Sequence, residues 1–187
     1  MIANAQARGL PVTADVTAHH LHLTEADVGE FDSACHLAPP LRTAEDREAL
    51  RQGLRDGVLC AVSSAHQPHQ PDAKDAPFAE TEPGMVGLET LLPLVLRLVQ
   101  EGVLSLSEAV RRVTLNPARV MALDAGTLSP GRPADVCVLD PGREWVLEEG
   151  SMASAGRNTP FLGRALRGRV THTFLEGQLV YRLEEAP

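Results

Sequence analysis

Residues 61–90 read AVSSAHQPHQPDAKDAPFAETEPGMVGLET, and the order of residue types in this stretch decides the fold. Ala61 and Val62 end an apolar strand. Ser63 and Ser64 begin a polar turn that carries His66 and His69. An acidic loop punctuated by Pro71, Pro77 and Pro83 follows, and Gly87 opens an apolar helix. Ionisable side chains at the C-terminal end of a strand that feeds a helix are where parallel α/β folds keep their chemistry.

Upstream, residues 2–9 read as the end of a helix closed by Gly9. The β-branched run from Leu10 to Thr17 predicts a buried strand. It ends at Ala18-His19-His20-Leu21, and Thr24 to Asp27 start a short helix. Adjacent strand residues point to opposite faces, so His19 and His20 are expected to hold the loop by hydrogen bonds and not to share one metal ion. Pro39 and Pro40 make a stiff turn. Thr43, with Asp46 three residues on, caps a helix over Ala44 to Asp56, Gly57 stops it, and Val58 to Ser63 form the next strand. Strand, helix and strand in this order predict a parallel pair.

Downstream, Leu88, Leu91, Leu92, Val95, Leu96 and Val99 draw one buried stripe on a helix from Gly87 to Glu101. Ser105 and Glu108 form a capping box, and Asn116-Pro117 cap a helix over Ala118 to Leu123. From Gly126 the pattern changes to turns and short strands at Val136 to Leu139, Trp145 to Leu147, Val170 to Leu175 and Gln178 to Tyr181, the last two joined by a hairpin at Glu176-Gly177.

The chain of 187 residues is 43% hydrophobic and 22% charged, which suffices for a packed core. A net charge of -8 argues against nucleic acid or an anionic membrane as partner. No apolar run reaches the roughly 20 residues of a membrane span, and the first residues lack the basic-then-apolar order of a signal peptide. Cys35, Cys60 and Cys137 are widely spaced, so free, mostly buried thiols in a reducing cytoplasm are expected. Lys74, the single lysine, lies in the polar loop, which is the wrong place for a carbamylated lysine bridging two metals.

His66-Gln67-Pro68-His69 after a strand, a Pro77-Phe78 loop and Gly84-Met85-Val86-Gly87-Leu88-Glu89-Thr90 together resemble the last barrel strand and loop of the dihydroorotases, a branch of the cyclic amidohydrolases. His19-His20-Leu21 resembles the end of that family's penultimate strand, with Ala18 in place of its proline. Pro39-Pro40-Leu41-Arg42, Thr114 to Ala118, the strand Ala134 to Asp140 and Gly156 to Gly163 add further matches in the same order, with Gly156 to Gly163 anchoring the terminal segment.

The resemblance implies the C-terminal part of a metal-dependent (β/α)8 barrel, its last two strands and helices in residues 1–124. A segment of a small β-sandwich would occupy residues 125–187, with Asp135 structural. A complete barrel takes roughly 200–250 residues, so four further strands and the family's His-x-His metal ligands are expected to lie outside this sequence. The resemblance also assigns roles. The catalytic Asp of the family falls on Ala65, and a methyl group cannot move a proton. The Asn that helps hold the pyrimidine ring falls on Ala38. His69 matches the histidine that meets the substrate carboxylate, Gly84 lies in the substrate loop, and His66 is structural. Active members use zinc; with Ala65 in place, no cofactor is expected here.

Three expectations about function follow. The chain is nearest the inactive dihydroorotase-like proteins of pyrimidine biosynthesis that support assembly of aspartate carbamoyltransferase. That implies the carbamoyltransferase catalytic chain as partner, an oligomer, a cytoplasmic location, and contact surfaces at Asp72 to Glu82 and Gly84 to Thr90. The alternatives are a working zinc dihydroorotase, which closes N-carbamoyl-aspartate to dihydroorotate, and a truncated remnant without function.

Overall fold

Thr43 accepts a hydrogen bond from the Asp46 amide while the Asp46 carboxylate reaches back to the Thr43 N–H and hydroxyl. This reciprocal cap starts α2 (Ala44–Arg55), the connection between β1 (Asp15–Thr17) and β2 (Ala61–Ser63), which pair in parallel as expected. In this computed structural model, which describes residues 1–184, α1 (Ile2–Ala7) precedes β1. After β2 come α3 (Leu88–Gln100), α4 (Leu106–Val113) and α5 (Leu115–Val120), and then β3 (Val136–Val146), β4 (Ala165–Leu175) and β5 (Gln178–Arg182). The last three strands form one antiparallel sheet in the order β3-β4-β5. The β4–β5 hairpin turns at Glu176 and Gly177, both with positive φ (50° and 81°), and Asp135 Oδ1 accepts the Glu176 amide at 2.8 Å.

Both parallel strands are shorter than the sequence predicts. Leu10 and Val12 are 47% and 38% exposed, and Pro11 between them has no N–H to give to a ladder, so pairing begins only at Asp15. The expected strands Val136 to Leu139 and Trp145 to Leu147 are instead the two ends of β3, which stays in register with β4 through irregularities near Val138 and Asp140. Asn116 is not a cap. It sits inside α5 and its Nδ2 donates to the Cys60 carbonyl at 2.7 Å, tying α5 to the start of β2.

The core runs from Val16, Leu21 and Leu54 through Leu94, Val95 and Leu98 to Leu147, Met152 and Phe161. Helix α3 departs from the expected stripe, since Leu88 is 58% exposed and the fully buried positions include Thr90, Leu94 and Leu98. The helix lies between two layers: Leu94 and Leu98 face the α/β part, while Leu96 meets β4 at Gly168. A helix covered on two sides buries more than one stripe. Of the cysteines, all free, only Cys35 is buried and Cys137 is exposed, which corrects the expectation of mostly buried thiols.

Candidate functional site

The site is built where β1 and β2 end. The Ala18 amide donates to the Ser63 carbonyl at 2.9 Å, closing the parallel pair, and the chain then turns through a short 3-10 helix, His19–Leu21. That turn overturns the reading of His19 and His20 as residues on opposite strand faces: their rings lie side by side with centroids 4.7 Å apart. His20 does hold the loop. Its Nε2 donates to the Pro39 carbonyl at 3.2 Å, so Nδ1 is the acceptor for the Thr17 hydroxyl at 2.6 Å. His19 is 3% exposed, and burial, reinforced by His20, pulls its pKa down to about 3, so it stays a neutral imidazole.

Behind these residues, His22 is buried too, and its Nε2 donates to the Leu94 carbonyl at 2.8 Å. Burial lowers its pKa to about 4. Arg51 donates through Nε to the Leu21 carbonyl at 2.7 Å and pairs with Glu101 at 2.8 Å. One guanidinium thus joins α2, the histidine turn and the end of α3.

At the end of β2, Ala65 has φ of 42°, in the left-handed region that disfavours a β-carbon. Asn, Asp and Gly adopt it most readily, so the backbone here suits the acid that the dihydroorotase pattern places at this position better than it suits Ala. His66 is structural, as expected: its Nδ1 accepts the Gly87 and Leu88 amides at 3.3 and 3.4 Å and so caps α3. Gly87 has no alternative, because a β-carbon there would lie 2.2 Å from the Ser64 carbonyl oxygen.

His69, Gly84 and the segment leading to Ala38 are brought together. The Gly84 amide donates to the His36 carbonyl at 2.8 Å, and His69 Nε2 donates to the Pro83 carbonyl at 3.1 Å. Asn158 locks the group. Its Oδ1 accepts the His69 amide at 2.8 Å, and its Nδ2 donates to the carbonyls of Gln67 and Gly84 at 3.0 and 3.1 Å. The sequence reading gave Gly156 to Gly163 the task of anchoring the terminal segment and did not connect Asn158 with the site. The connection spans 89 residues, and no local pattern signals it. Beside His69 lies an open cleft of about 350 Å³ whose charged lining is Lys74, Asp75, Glu149 and Arg157. Lys74 Nζ donates to the Ser33 carbonyl at 3.0 Å and also to that of Glu82, so it fastens the acidic loop.

Chemically, the site offers imidazoles and amides but no carboxylate at the end of β2. Among the described residues no group of three His, Cys, Asp or Glu side chains is placed to hold a metal ion. His19 is in the ligating protonation state, but Ala65 contributes a methyl group and His66 spends its Nδ1 on α3. These residues do not fit a zinc site on their own.

The fold and the site's position define the C-terminal part of a metal-dependent-hydrolase barrel with part of its companion sheet. Residues 4–180 match the amidohydrolase family, and the chain belongs to it. It is 48% identical over 181 residues to a dihydroorotase-like protein of Pseudomonas aeruginosa, covering 97% of this chain and 43% of that protein. It is 46% identical over 185 residues to a dihydroorotase of Syntrophotalea carbinolica, covering 99% and 44%. Among solved structures, L-hydantoinase (dihydropyrimidinase) from Arthrobacter aurescens superposes with a TM-score of 0.91 at 28% identity, over all of this chain and 43% of that one. The inactive dihydroorotase-like domain of a Chaetomium thermophilum CAD-like multifunctional protein superposes with a TM-score of 0.67 at 25% identity, over 95% and 46%. The chain thus spans less than half the length of these relatives, and matches their C-terminal portion. No helix among the described residues is long and apolar enough to cross a membrane.

Proposed function

We propose that this chain is the C-terminal part of a non-catalytic dihydroorotase-like protein of pyrimidine biosynthesis, acting in support of aspartate carbamoyltransferase. The observation that carries the reading is Ala65, a methyl group at the strand end on a backbone conformation suited to Asp. His69 adds to it: its Nε2 is spent on the Pro83 carbonyl, which leaves a single ring nitrogen, Nδ1, for any ligand. Ala38 offers no amide, and both backbone groups of Gly84 are taken within the chain. The exposed acidic residues Asp72, Asp75, Glu80 and Glu82 present a docking face beside the site, and the location is the cytoplasm. Residues 1–124 and 125–187 serve as barrel and sandwich segments.

The test is native mass by light scattering, with this chain alone and mixed with an aspartate carbamoyltransferase catalytic chain. A defined mixed complex is the expected result, and its absence sinks the scaffold reading. The relative named dihydroorotase, 46% identical, favours a second reading, a working zinc enzyme. Under the scaffold reading Ala65→Asp gives no zinc-dependent ring closure in this chain, and any turnover above background supports the enzyme instead.

A further inference from the structure

Phe31 is 72% exposed and has φ of 65°, in the left-handed region that bulky residues rarely adopt. Its ring meets Phe78 edge-on with centroids 5.8 Å apart, and Phe78 lies against the His36 ring at 4.7 Å. His36 Nδ1 donates to the Thr81 hydroxyl at 2.7 Å, whose own proton goes to the Phe78 carbonyl at 2.8 Å. Three rings therefore form one row shared by two loops, the one that follows β1 and the one that follows β2. Lys74 Nζ on the Ser33 carbonyl and the Gly84 amide on the His36 carbonyl fasten these loops to each other. The row is thus in place before anything binds.

Charge of one sign surrounds the row. Glu30 and Asp32 flank Phe31, and Asp72, Asp75, Glu80 and Glu82 lie on the loop that carries Phe78; all six are exposed. Among the described residues no ion pair engages any of them. Lys74 is the one Lys or Arg in residues 30–36 and 72–82, and its ammonium is committed to the carbonyls of Ser33 and Glu82. Elsewhere the chain covers its own rings with arginine: Arg164 lies over Phe161 at 5.6 Å and Arg169 over Trp145 at 4.6 Å. Among the described residues no cation lies over Phe31 or Phe78. An open ring beside unpaired carboxylates is best answered by a guanidinium, which stacks on the ring and donates in pairs to a carboxylate. A lysine ammonium meets the charge without the stacking, and an apolar segment meets the rings without the charge.

We propose that Phe31 and Phe78, with the carboxylates around them, are the docking point for an arginine on a surface segment of a partner protein. This rests on the reading of the acidic loop as a docking face and adds the residue type that the face takes; under that reading the arginine belongs to the carbamoyltransferase chain. It also moves the centre of the face to Phe31, on the loop after β1. Arginines and aromatic anchors packed together carry most of the binding energy of an interface, while the surrounding carboxylates steer the approach of a basic segment. A second copy of this chain is a poor occupant, because it would set the same carboxylates against each other.

The probes are an oligo-arginine and an oligo-lysine peptide of equal length, titrated into this chain with the NMR shifts of ring protons as the readout. The arginine peptide is expected to bind about threefold or more tighter than the lysine peptide and to shift the rings of Phe31, Phe78 and His36. Binding of both peptides weakens as salt rises. Phe31→Tyr keeps the preference for arginine and Phe31→Leu, equally apolar but without a ring, loses it, with circular dichroism showing both variants folded. Equal affinity for the two peptides overturns the inference. So does a preference that survives Phe31→Leu, or shifts confined to other rings. Light scattering with the aspartate carbamoyltransferase catalytic chain separates this inference from the proposed function. An arginine preference at Phe31 without that complex removes the carbamoyltransferase and keeps the docking point. A complex that forms equally well with Phe31→Leu keeps the carbamoyltransferase and removes the docking point.

Discussion

Replacing Asn158 with Ala cuts three hydrogen bonds at once, to the His69 amide and to the Gln67 and Gly84 carbonyls. Each such bond contributes about 0.5–1.5 kcal/mol net. The bond to Gln67 is exposed and its carbonyl can turn to water, so it belongs at the low end, whereas those to His69 and Gly84 are partly buried. The loss is therefore about 2–3 kcal/mol, roughly 4–12 °C in melting temperature for a chain of this size. Asn158→Asp keeps the acceptor for His69 but sets a carboxylate oxygen against two carbonyls, so it is expected to be no better than Ala. The assay is urea unfolding of both variants together with hydrogen exchange at the His69 amide, which should quicken at least tenfold. A loss below about 0.5 kcal/mol with unaltered His69 exchange would refute the clamp, because that is the bottom of the range for a single bond.

Three further outcomes follow from the same geometry. Gly87→Ala drives a β-carbon against the Ser64 carbonyl and should cost about 1–3 kcal/mol in a urea titration, whereas Gly102→Ala, which meets no neighbouring atom, loses only what its positive φ imposes. Ala65→Asn keeps the β-carbon but adds a short polar side chain that can hydrogen-bond locally in the left-handed conformation, and should raise stability by about 0.5–1 kcal/mol; a fall of that size would contradict the backbone assignment. His19 and His22 have folded pKa values near 3 and 4, below the ordinary 6.5, so the unfolded chain binds their protons first. Their contribution is complete above pH 6.5 and is lost as pH falls towards 4, by on the order of 3 kcal/mol for His22. A His19→Gln, His22→Gln double variant should flatten the fall in unfolding free energy between pH 7 and pH 4.5, and an unchanged slope would rule the pair out as its source.

What could be read in the sequence is what depends on near neighbours. The Thr43–Asp46 and Ser105–Glu108 caps are signalled within four residues and form as expected. The hairpin at Glu176-Gly177 is equally local. The family pattern likewise put His66, His69 and Ala65 at the end of one strand, where they are. Strand limits were not legible, because whether Leu10 to Ala14 join a ladder depends on a neighbour that the local sequence does not contain. The face of α3 was misread because covering by β4 on one side and the α/β core on the other leaves one run of leucines serving two layers. Adjacent histidines were assigned to opposite faces on the assumption that the strand continued, and the 3-10 turn removed that premise. The links from Arg51 to Leu21 and from Asn158 to His69 join residues 30 and 89 apart, beyond the reach of periodicity.

The Asn158 clamp also sets an order of events on the ribosome. At about 5–20 residues per second, synthesis takes roughly 5–20 s to travel from His69 to Asn158. Throughout that interval the His66 to Gly84 loop has its strand, its capped helix and the Lys74 fastening, but not the Asn158 clamp. The part of the molecule that would meet a ligand or a partner thus acquires its final shape late, only when the segment carrying Asn158 arrives. A chain stopped near residue 150 would carry every histidine of the candidate site and still lack the clamp on His69.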